Sequence, residues 1–476
     1  MLRLIQTHYP KLFACIFCSL TFLSHAGEVV STPNFLVESG FILEQNNTEA
    51  PTAHVVLMEE VDVWERMRKG FAIPDLDNPL VVSQTNWYSS HPEQVKRTIT
   101  RGSRYLFHVV SELEKRGMPT ELALLPFIES SFNPEAYSKA KAAGLWQFIP
   151  STGLFFKLKQ NVFKDERRDI LASTDAALNY LEKLYGLFGD WQLALAAYNW
   201  GEGAVQRAIK KNLALGKPTD FNGLSHIMPE ETRNYVPKFI AIKNIIANPA
   251  QYNIALPKVE NQPYFVVIDK KQDIDIKLAA QLAELSLAEF KSLNPQFNRP
   301  IIPAGDKAQL LLPHDNAEKF KANLAKWNRP LSSWTSFTVQ KRERVDNIAK
   351  AFRTLPEVLR EANRIPPKML LKPGSTILVP KLTNANYKDI SPELIDNAVL
   401  SVEPEIRTKQ ILIKVKKKDT LASVAQRYKV STEQIKEWNN LKQDRLTPGQ
   451  KLKLEVQQRA GKKSKHKKPR YKKRYS

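Results

Sequence analysis

The stretch ELALLPFIESSFNP, residues 121–134, places an acid where an apolar helical face ends. Leu122, Leu125 and Ile128 recur at helical spacing and line one side, and Pro126 bends the segment just before Glu129. Helix packing accounts for the apolar residues. It does not account for an acid followed by Ser-Ser-Phe-Asn-Pro. Two companion segments lie downstream, GLWQFIPSTG at 144–153 and ALAAYNWGEGAV at 194–205, so that all three fall within about eighty residues. A carboxyl beside Leu125, Phe127 and Phe132 loses hydration, which disfavours its charged form and raises its pKa. That is the condition a general acid needs at neutral pH.

Working outward, residues 60–250 carry a mostly helical pattern. Val95 to Ile99 and Tyr105 to Val110 keep apolar residues three and four apart. Gly117-Met118-Pro119-Thr120 ends one helix and opens another, and Trp191 to Trp200 is a further helix closed by Gly201. Asp165, Glu166, Asp169, Asp175 and Asp190 read as surface or helix-start residues. Gly201 and Gly203 do not make a nucleotide loop, because no strand precedes them. The eight histidines are scattered, with no pair at helical spacing, so no metal or other cofactor is expected.

Beyond Pro257 the texture changes to strand, helix pair, strand, three times over. In the last copy, 410–456, Ile411 to Val415 alternates as a strand, Asp419-Thr420 starts a helix, and Leu421, Val424, Ala425 and Tyr428 form its face. Asn439-Asn440-Leu441 and a Pro448-Gly449 turn lead to the strand from Lys451 to Val456. The copy at 336–380 keeps the spacing: Glu343 to Asn363 covers the same twenty positions as Asp419 to Asn439, and Pro373-Gly374 replaces Pro448-Gly449. An eroded copy at 263–313 has Asp273, Asn294 and Ala304-Gly305 in the same order. Repetition at this period means repeated modules. Polar linkers such as 381–408 separate them, so each is expected to fold alone.

These modules, with Asp-Thr-Leu, Asn-x-Leu and Pro-Gly-x-x-Leu, resemble LysM domains, which bind N-acetylglucosamine-containing glycans. The helical region, including Trp64 to Pro79 and the segment Glu231-Thr-Arg-Asn-Tyr-Val-Pro237, resembles the lytic transglycosylases of glycoside hydrolase family 23. The fold implied is α+β and multidomain: a mainly helical lysozyme-like catalytic domain, then three small βααβ modules. The resemblance implies that Glu129 protonates the oxygen between N-acetylmuramic acid and N-acetylglucosamine. The muramyl 6-hydroxyl then attacks the anomeric carbon, with the same carboxylate as base. Ser130 would help place the Glu129 carboxyl, Gln147 would meet an acetamido or hydroxyl group, and Tyr198, Asn199 and Tyr235 would line the cleft. Trp146 and Trp200 are expected in the core rather than as sugar platforms. In the modules, Asp419, Thr420, Asn439 and Asn363 are the candidate glycan contacts.

The chain ends speak of compartment. Arg3 and Lys11, an apolar run from Leu12 to Leu23 and Ser24-His25-Ala26 read as a signal peptide over 1–26, followed by a lead-in over 27–59. Both cysteines, Cys15 and Cys18, fall inside the signal peptide, so the exported chain would have neither disulfides nor thiolate sites. Leu12-Phe13-Ala14-Cys15 is a weak lipoprotein box with too little apolar sequence before it. A periplasmic enzyme is expected, with peripheral membrane contact left open. Net charge is +22, and Arg459 to Ser476 hold ten Lys/Arg and no acid, so 457–476 reads as a basic disordered tail. In an exported protein that tail would meet anionic lipid or wall polymer, or only solvate the chain. Nucleic acid is not expected, and the oligomeric state is left open. Peptidoglycan glycan strands are the expected partner. Two alternatives stand beside the lytic enzyme: a water-using muramidase of goose-lysozyme type, and a wall-binding scaffold with an inactive catalytic domain.

Overall fold

The computed structural model describes residues 62–305, 309–382, 387–405 and 408–457. The expected signal peptide, lead-in and basic tail lie outside them.

Ten helices build the first domain: α1 (Val63–Lys69), α2 (Pro79–Ser89), α3 (Pro92–Lys115), α4 (Leu125–Ser130), α5 (Pro150–Phe155), α6 (Ile170–Phe188), α7 (Trp191–Trp200), α8 (Glu202–Ala214), α9 (Phe221–Ser225) and α10 (Glu230–Ala247). The local chemistry sets their limits. Asp169 caps α6 by accepting from the Leu171 and Ala172 amides, and Gly189 ends it in the left-handed region. Asp190 caps α7 through the Leu193 amide, and Gly201 closes it. Val95 to Ile99 and Tyr105 to Val110 belong to one helix, α3, which buries Val95, Ile99, Gly102, Leu106, Val109 and Leu113. That repeat of threes and fours is a single stripe against the core.

The segment before Glu129 is not one continuous helix. Thr120–Leu124 forms a 3-10 turn, and α4 begins only at Leu125. Pro126 cannot donate back into the preceding turn, so the tighter coil ends there. Around it, α10 lies against α2, α7 and α4, and α6 against α7. The large buried cluster includes Trp64, Trp146, Phe132 and Phe239.

Each of the three following modules pairs its outer strands antiparallel around two helices. In the first, β1 (Phe265–Asp269) pairs with β4 (Gln309–Pro313), with β2 (Ile274–Asp275), α11 (Ile276–Leu282), α12 (Leu287–Leu293) and β3 (Ile301–Ile302) between them. An added helix, α13 (His314–Ala325), follows. In the second, β5 (Trp334–Thr338) pairs with β8 (Thr376–Pro380), enclosing β6 (Glu343–Arg344), α14 (Val345–Ala351), α15 (Pro356–Asn363) and β7 (Met369–Leu371). Between modules come α16 (Pro392–Asn397) and β9 (Val402–Pro404). In the third, β10 (Thr408–Lys414) pairs with β11 (Lys451–Gln457) around α17 (Leu421–Tyr428) and α18 (Thr432–Asn439). The α+β reading and the three βααβ repeats therefore hold.

The independence of the modules does not hold for the first two. Leu293, Leu311 and Phe265 of the first module share the buried cluster of the helical domain. Tyr105 donates its hydroxyl to the Ser292 carbonyl at 2.8 Å, and the Asn298 amide donates to Phe163 at 2.7 Å. A further cluster joins Phe163, Ile301, Leu378, Ile390 and Ala398, which is one contact among helical domain, both modules and the 387–399 segment. The segment expected as a free linker is thus built into the fold. Its apolar residues Ile390, Leu394, Ile395 and Ala398 are the reason.

Candidate active site

Glu129 stands one residue before the end of α4, after which Ser131 and Phe132 both take left-handed backbone (φ 52 and 54). This double reversal turns the chain sharply and drives Phe132 into the core, where its exposure is 1%. Gly102 on α3 makes that possible, because a Cβ there would lie 2.6 Å from the Phe132 ring. Leu125 and Phe127 are buried on the same short helix. Glu129 itself is partly exposed.

Its carboxyl accepts a short hydrogen bond from the Tyr235 hydroxyl. Tyr235 comes from α10 and is 6% exposed. Burial pushes the Glu129 pKa up to about 7; the hydrogen bond from Tyr235 pulls it down, and the charge of Glu231 raises it further. Burial also holds the phenols of Tyr235 and Tyr198 well above their ordinary value, with the Glu129 charge adding to both. Both tyrosines therefore stay neutral donors wherever Glu129 titrates.

The turn at 144–148 is bonded to the end of the helix that carries Glu129. Gly144 has φ +84, and a Cβ at that position would meet the Arg167 carbonyl oxygen at 2.0 Å, so only glycine fits. Ser130 donates to the Leu145 carbonyl at 2.9 Å and to Pro126 at 3.2 Å. Its hydroxyl ties the end of the acid-bearing helix to the turn, and both of these bonds run to backbone rather than to the Glu129 carboxyl. Tyr198 donates to the Trp146 carbonyl at 2.8 Å. Gln147, itself left-handed with φ 50, donates to Gly144 at 2.9 Å and remains half-buried. Asn199 accepts from the Thr232 hydroxyl at 2.7 Å, joining α7 to α10. Trp146 is fully buried, its indole donating to Thr174 at 3.1 Å, and so belongs to the core. Trp200 is partly buried against the same core.

Sequence reasoning missed the residue that holds this turn. Arg167 is 4% exposed and donates to the Lys141 carbonyl at 2.6 Å and to Phe148 at 3.1 Å. Asp165 accepts from it at 2.9 and 2.8 Å, a two-pronged buried pair. Asp165 was expected at the surface; at 8% exposure it is an internal brace, and its partner is the reason. Asp169 and Asp190 are helix starts as read, and Asp175 is an exposed acid paired with Arg116. Glu121 is fully buried and accepts from the Ala72 and Ile73 amides.

The Transglycosylase SLT domain family matches residues 109–221. The family described as Lytic transglycosylase MltD, LysM-like domain, matches 264–329, and the LysM domain matches 337–380 and 413–455. Membrane-bound lytic murein transglycosylase D of Escherichia coli is 32% identical over 408 residues, covering 83% of this chain and 86% of that protein. The chain belongs to that lytic transglycosylase family. An Alteromonas sp. protein named for tributyltin chloride resistance is 38% identical over 191 residues, 40% of this chain and 84% of that one. The X-ray structure of an inactive mutant of lytic transglycosylase Slt from Pseudomonas aeruginosa is 23% identical, covering 32% of this chain and 25% of that one, with TM-score 0.25.

The candidate glycan contacts of the modules divide. Asn363, 1% exposed, donates to the Leu359 and Leu378 carbonyls and accepts from the Leu378 amide. Asn439 does the same with Ile435 and Lys453, and Asn294 with Phe290 and Leu311. One clamp, locking second helix to last strand, recurs in all three modules. The side chains of Asn363 and Asn439 are therefore engaged in the fold, with Asn363 buried and Asn439 partly exposed. Asp419 is paired with Arg427 and accepts from the Lys416 amide. Thr420 caps α17 through the Ser423 amide, with its outer side exposed.

Proposed function

We propose that this lytic transglycosylase cleaves the β-1,4 bond between N-acetylmuramic acid and N-acetylglucosamine with Glu129 as acid and then base. The observation that carries the reading is a half-buried carboxyl of pKa about 7 held by a neutral tyrosine. At neutral pH such a group divides between both forms, as a residue serving in both directions should. The Glu129 proton passes to the glycosidic oxygen as the bond from the anomeric carbon to that oxygen breaks. The muramyl 6-hydroxyl oxygen forms the new bond to that carbon, and its proton returns to Glu129. No water enters, and the product is a 1,6-anhydromuramyl end.

A water-using enzyme places a second carboxylate for water. Among the described residues, the acid whose charge is felt at Glu129 is Glu231, and it is exposed at the start of α10. Asp165 is committed to Arg167. This favours the substrate's own hydroxyl as nucleophile. Tyr235 is the positioning residue for the carboxyl, Ser130 and Tyr198 hold the 144–148 turn, and Gln147 and Asn199 border the cleft. The modules hold glycan strands near the cleft, raising effective concentration there. The site of action is the periplasm. Among the described residues no helix is long and apolar enough to cross a membrane.

Mass spectrometry of fragments released from purified sacculi tests this, with Glu129→Gln as control. Anhydro ends lost in the variant are the expected result. Reducing ends carrying an added water would make the enzyme a hydrolase, and equal release by both proteins would remove Glu129 from the chemistry.

A further inference from the structure

The loop that follows the second helix differs among the three modules in one respect: what its backbone is bonded to. In the first module the Gln296 carbonyl accepts from the Asp165 amide and the Asn298 amide donates to Phe163, so this loop is sewn to the helical domain. Ile301 and Ile302 then pair with Asp275 and Ile274. In the second module, Met369–Leu371 is the middle strand of three, between Glu343–Arg344 and Val402–Pro404. Around it the Lys372 amide donates to Ser401, Thr376 to Val399, and Glu405 to Lys368. Ion pairs of Arg342 with Glu403 and Arg344 with Glu405 fasten the same segment across the facing loop.

That segment, 387–405, also reaches the first module. The Ile390 amide donates to Asp273 at 2.9 Å, and the Asp273 amide donates to Asp389 at 3.2 Å. Asp273 and Glu343 stand at the repeat position that Asp419 occupies in the third copy. One strap of chain therefore engages both earlier modules at the end where the last module carries Asp419 and Thr420.

The third module has no such cover among the described residues. Its corresponding loop bonds within its own module, with Gly449 donating to Val415, Gln450 to Thr447 and the Lys436 ammonium to Asp444. Among the described residues, 442–446 make no backbone hydrogen bond, and 442–445 are exposed. Leu441 and Leu446 lie half-buried beneath, on the module core. Across from the loop, Lys416 to Lys418 and Thr420 are exposed. An N-acetyl sugar offers a carbonyl, an amide N–H and an apolar ring face. Hydrated backbone groups over a leucine floor match those needs without breaking any existing bond.

We infer that the third module alone grips N-acetylglucosamine-containing glycan, whereas the first two form a frame, closed by the 387–405 strap, that fixes the helical domain. The inference rests on the reading that the modules bind glycan at all. Hydrogen exchange with mass spectrometry on the full chain tests both, using Glu129→Gln to exclude turnover and the N-acetylglucosamine hexamer as ligand. The hexamer is uncharged, so the basic tail contributes no electrostatic attraction. The expected result is added protection at 416–420 and 440–450, with none at 295–302 or 364–376. Protection in either earlier loop overturns the inference and leaves glycan binding by the modules intact. Protection in none of the three, at hexamer concentrations that protect the catalytic cleft, overturns both.

Discussion

Replacing Glu129 by Gln separates what the carboxyl does for catalysis from what its burial does to stability. In the fold the group has a pKa of about 7, against 4.5 for the unperturbed acid. Between those values the folded state holds a proton that the unfolded state has released. Stability from this group is therefore complete below about pH 4.5 and is lost as pH rises towards 7. At roughly 1.36 kcal/mol per pKa unit, the loss levels off on the order of 3 kcal/mol. Glutamine does not titrate and can still accept from Tyr235. The variant should match the native protein near pH 4 and exceed it at pH 8, by roughly 6–12 °C in the melting of a domain this size. Calorimetry of the helical domain's transition at both pH values measures it. A difference that does not change with pH would refute the reasoning, since burial would then not be penalising the charge. Activity of the same variant should fall by about 100- to 10,000-fold, the range for loss of a general acid.

Three further outcomes follow from the geometry. Tyr235→Phe removes the hydrogen bond that lowers the Glu129 pKa, so the alkaline limb of the pH–rate profile should move above about 7, with kcat down roughly tenfold; an unmoved limb would mean the bond is not made in solution. Gly144→Ala forces a Cβ to 2.0 Å from the Arg167 carbonyl at a positive φ, and should cost about 3 kcal/mol or more in thermal melts, with activity lost. Asn363→Ala leaves the buried N–H and C=O of Leu378 without their side-chain partner and should destabilise the second module by roughly 2–4 kcal/mol. Exchange rates along β8 report that directly, and native protection there would show that the clamp is dispensable.

The helical domain and the repeats were legible because periodicity and caps are local. Leu122, Leu125 and Ile128 announce a buried face, and Asp169 and Asp190 announce helix starts, without reference to the rest of the chain. What failed to show is long-range. Asp165 sits in a run of six charged residues, Lys164 to Asp169, which resembles solvated surface until Arg167 is seen bridging 141 and 148. The repeated asparagines were visible at a fixed offset. Their partners, however, lie 17, 15 and 14 residues onward in a strand, so a polar residue held in register looked like a ligand contact. The 381–408 segment looked like a linker because its polar residues outnumber the apolar few that join the shared cluster around Phe163 and Leu378.

The position of the acid depends on a small set of backbone carbonyls. Those of Leu145, Trp146 and Phe148 are taken by Ser130, Tyr198 and Arg167 respectively, side chains from α4, α7 and the loop before α6. Three separate parts of the domain thus hold one five-residue turn, and Ser130 lies next to Glu129 in sequence. Each bond alone contributes only about 1 kcal/mol. Their shared effect is geometric, since none of the three elements can shift without breaking its bond to the turn. A turn fixed in this way needs little reorganisation when charge develops on the sugar, which is where preorganised sites gain most of their rate. The Ser130 hydroxyl is bonded to the turn and not to the carboxyl, and it is Tyr235 that holds Glu129.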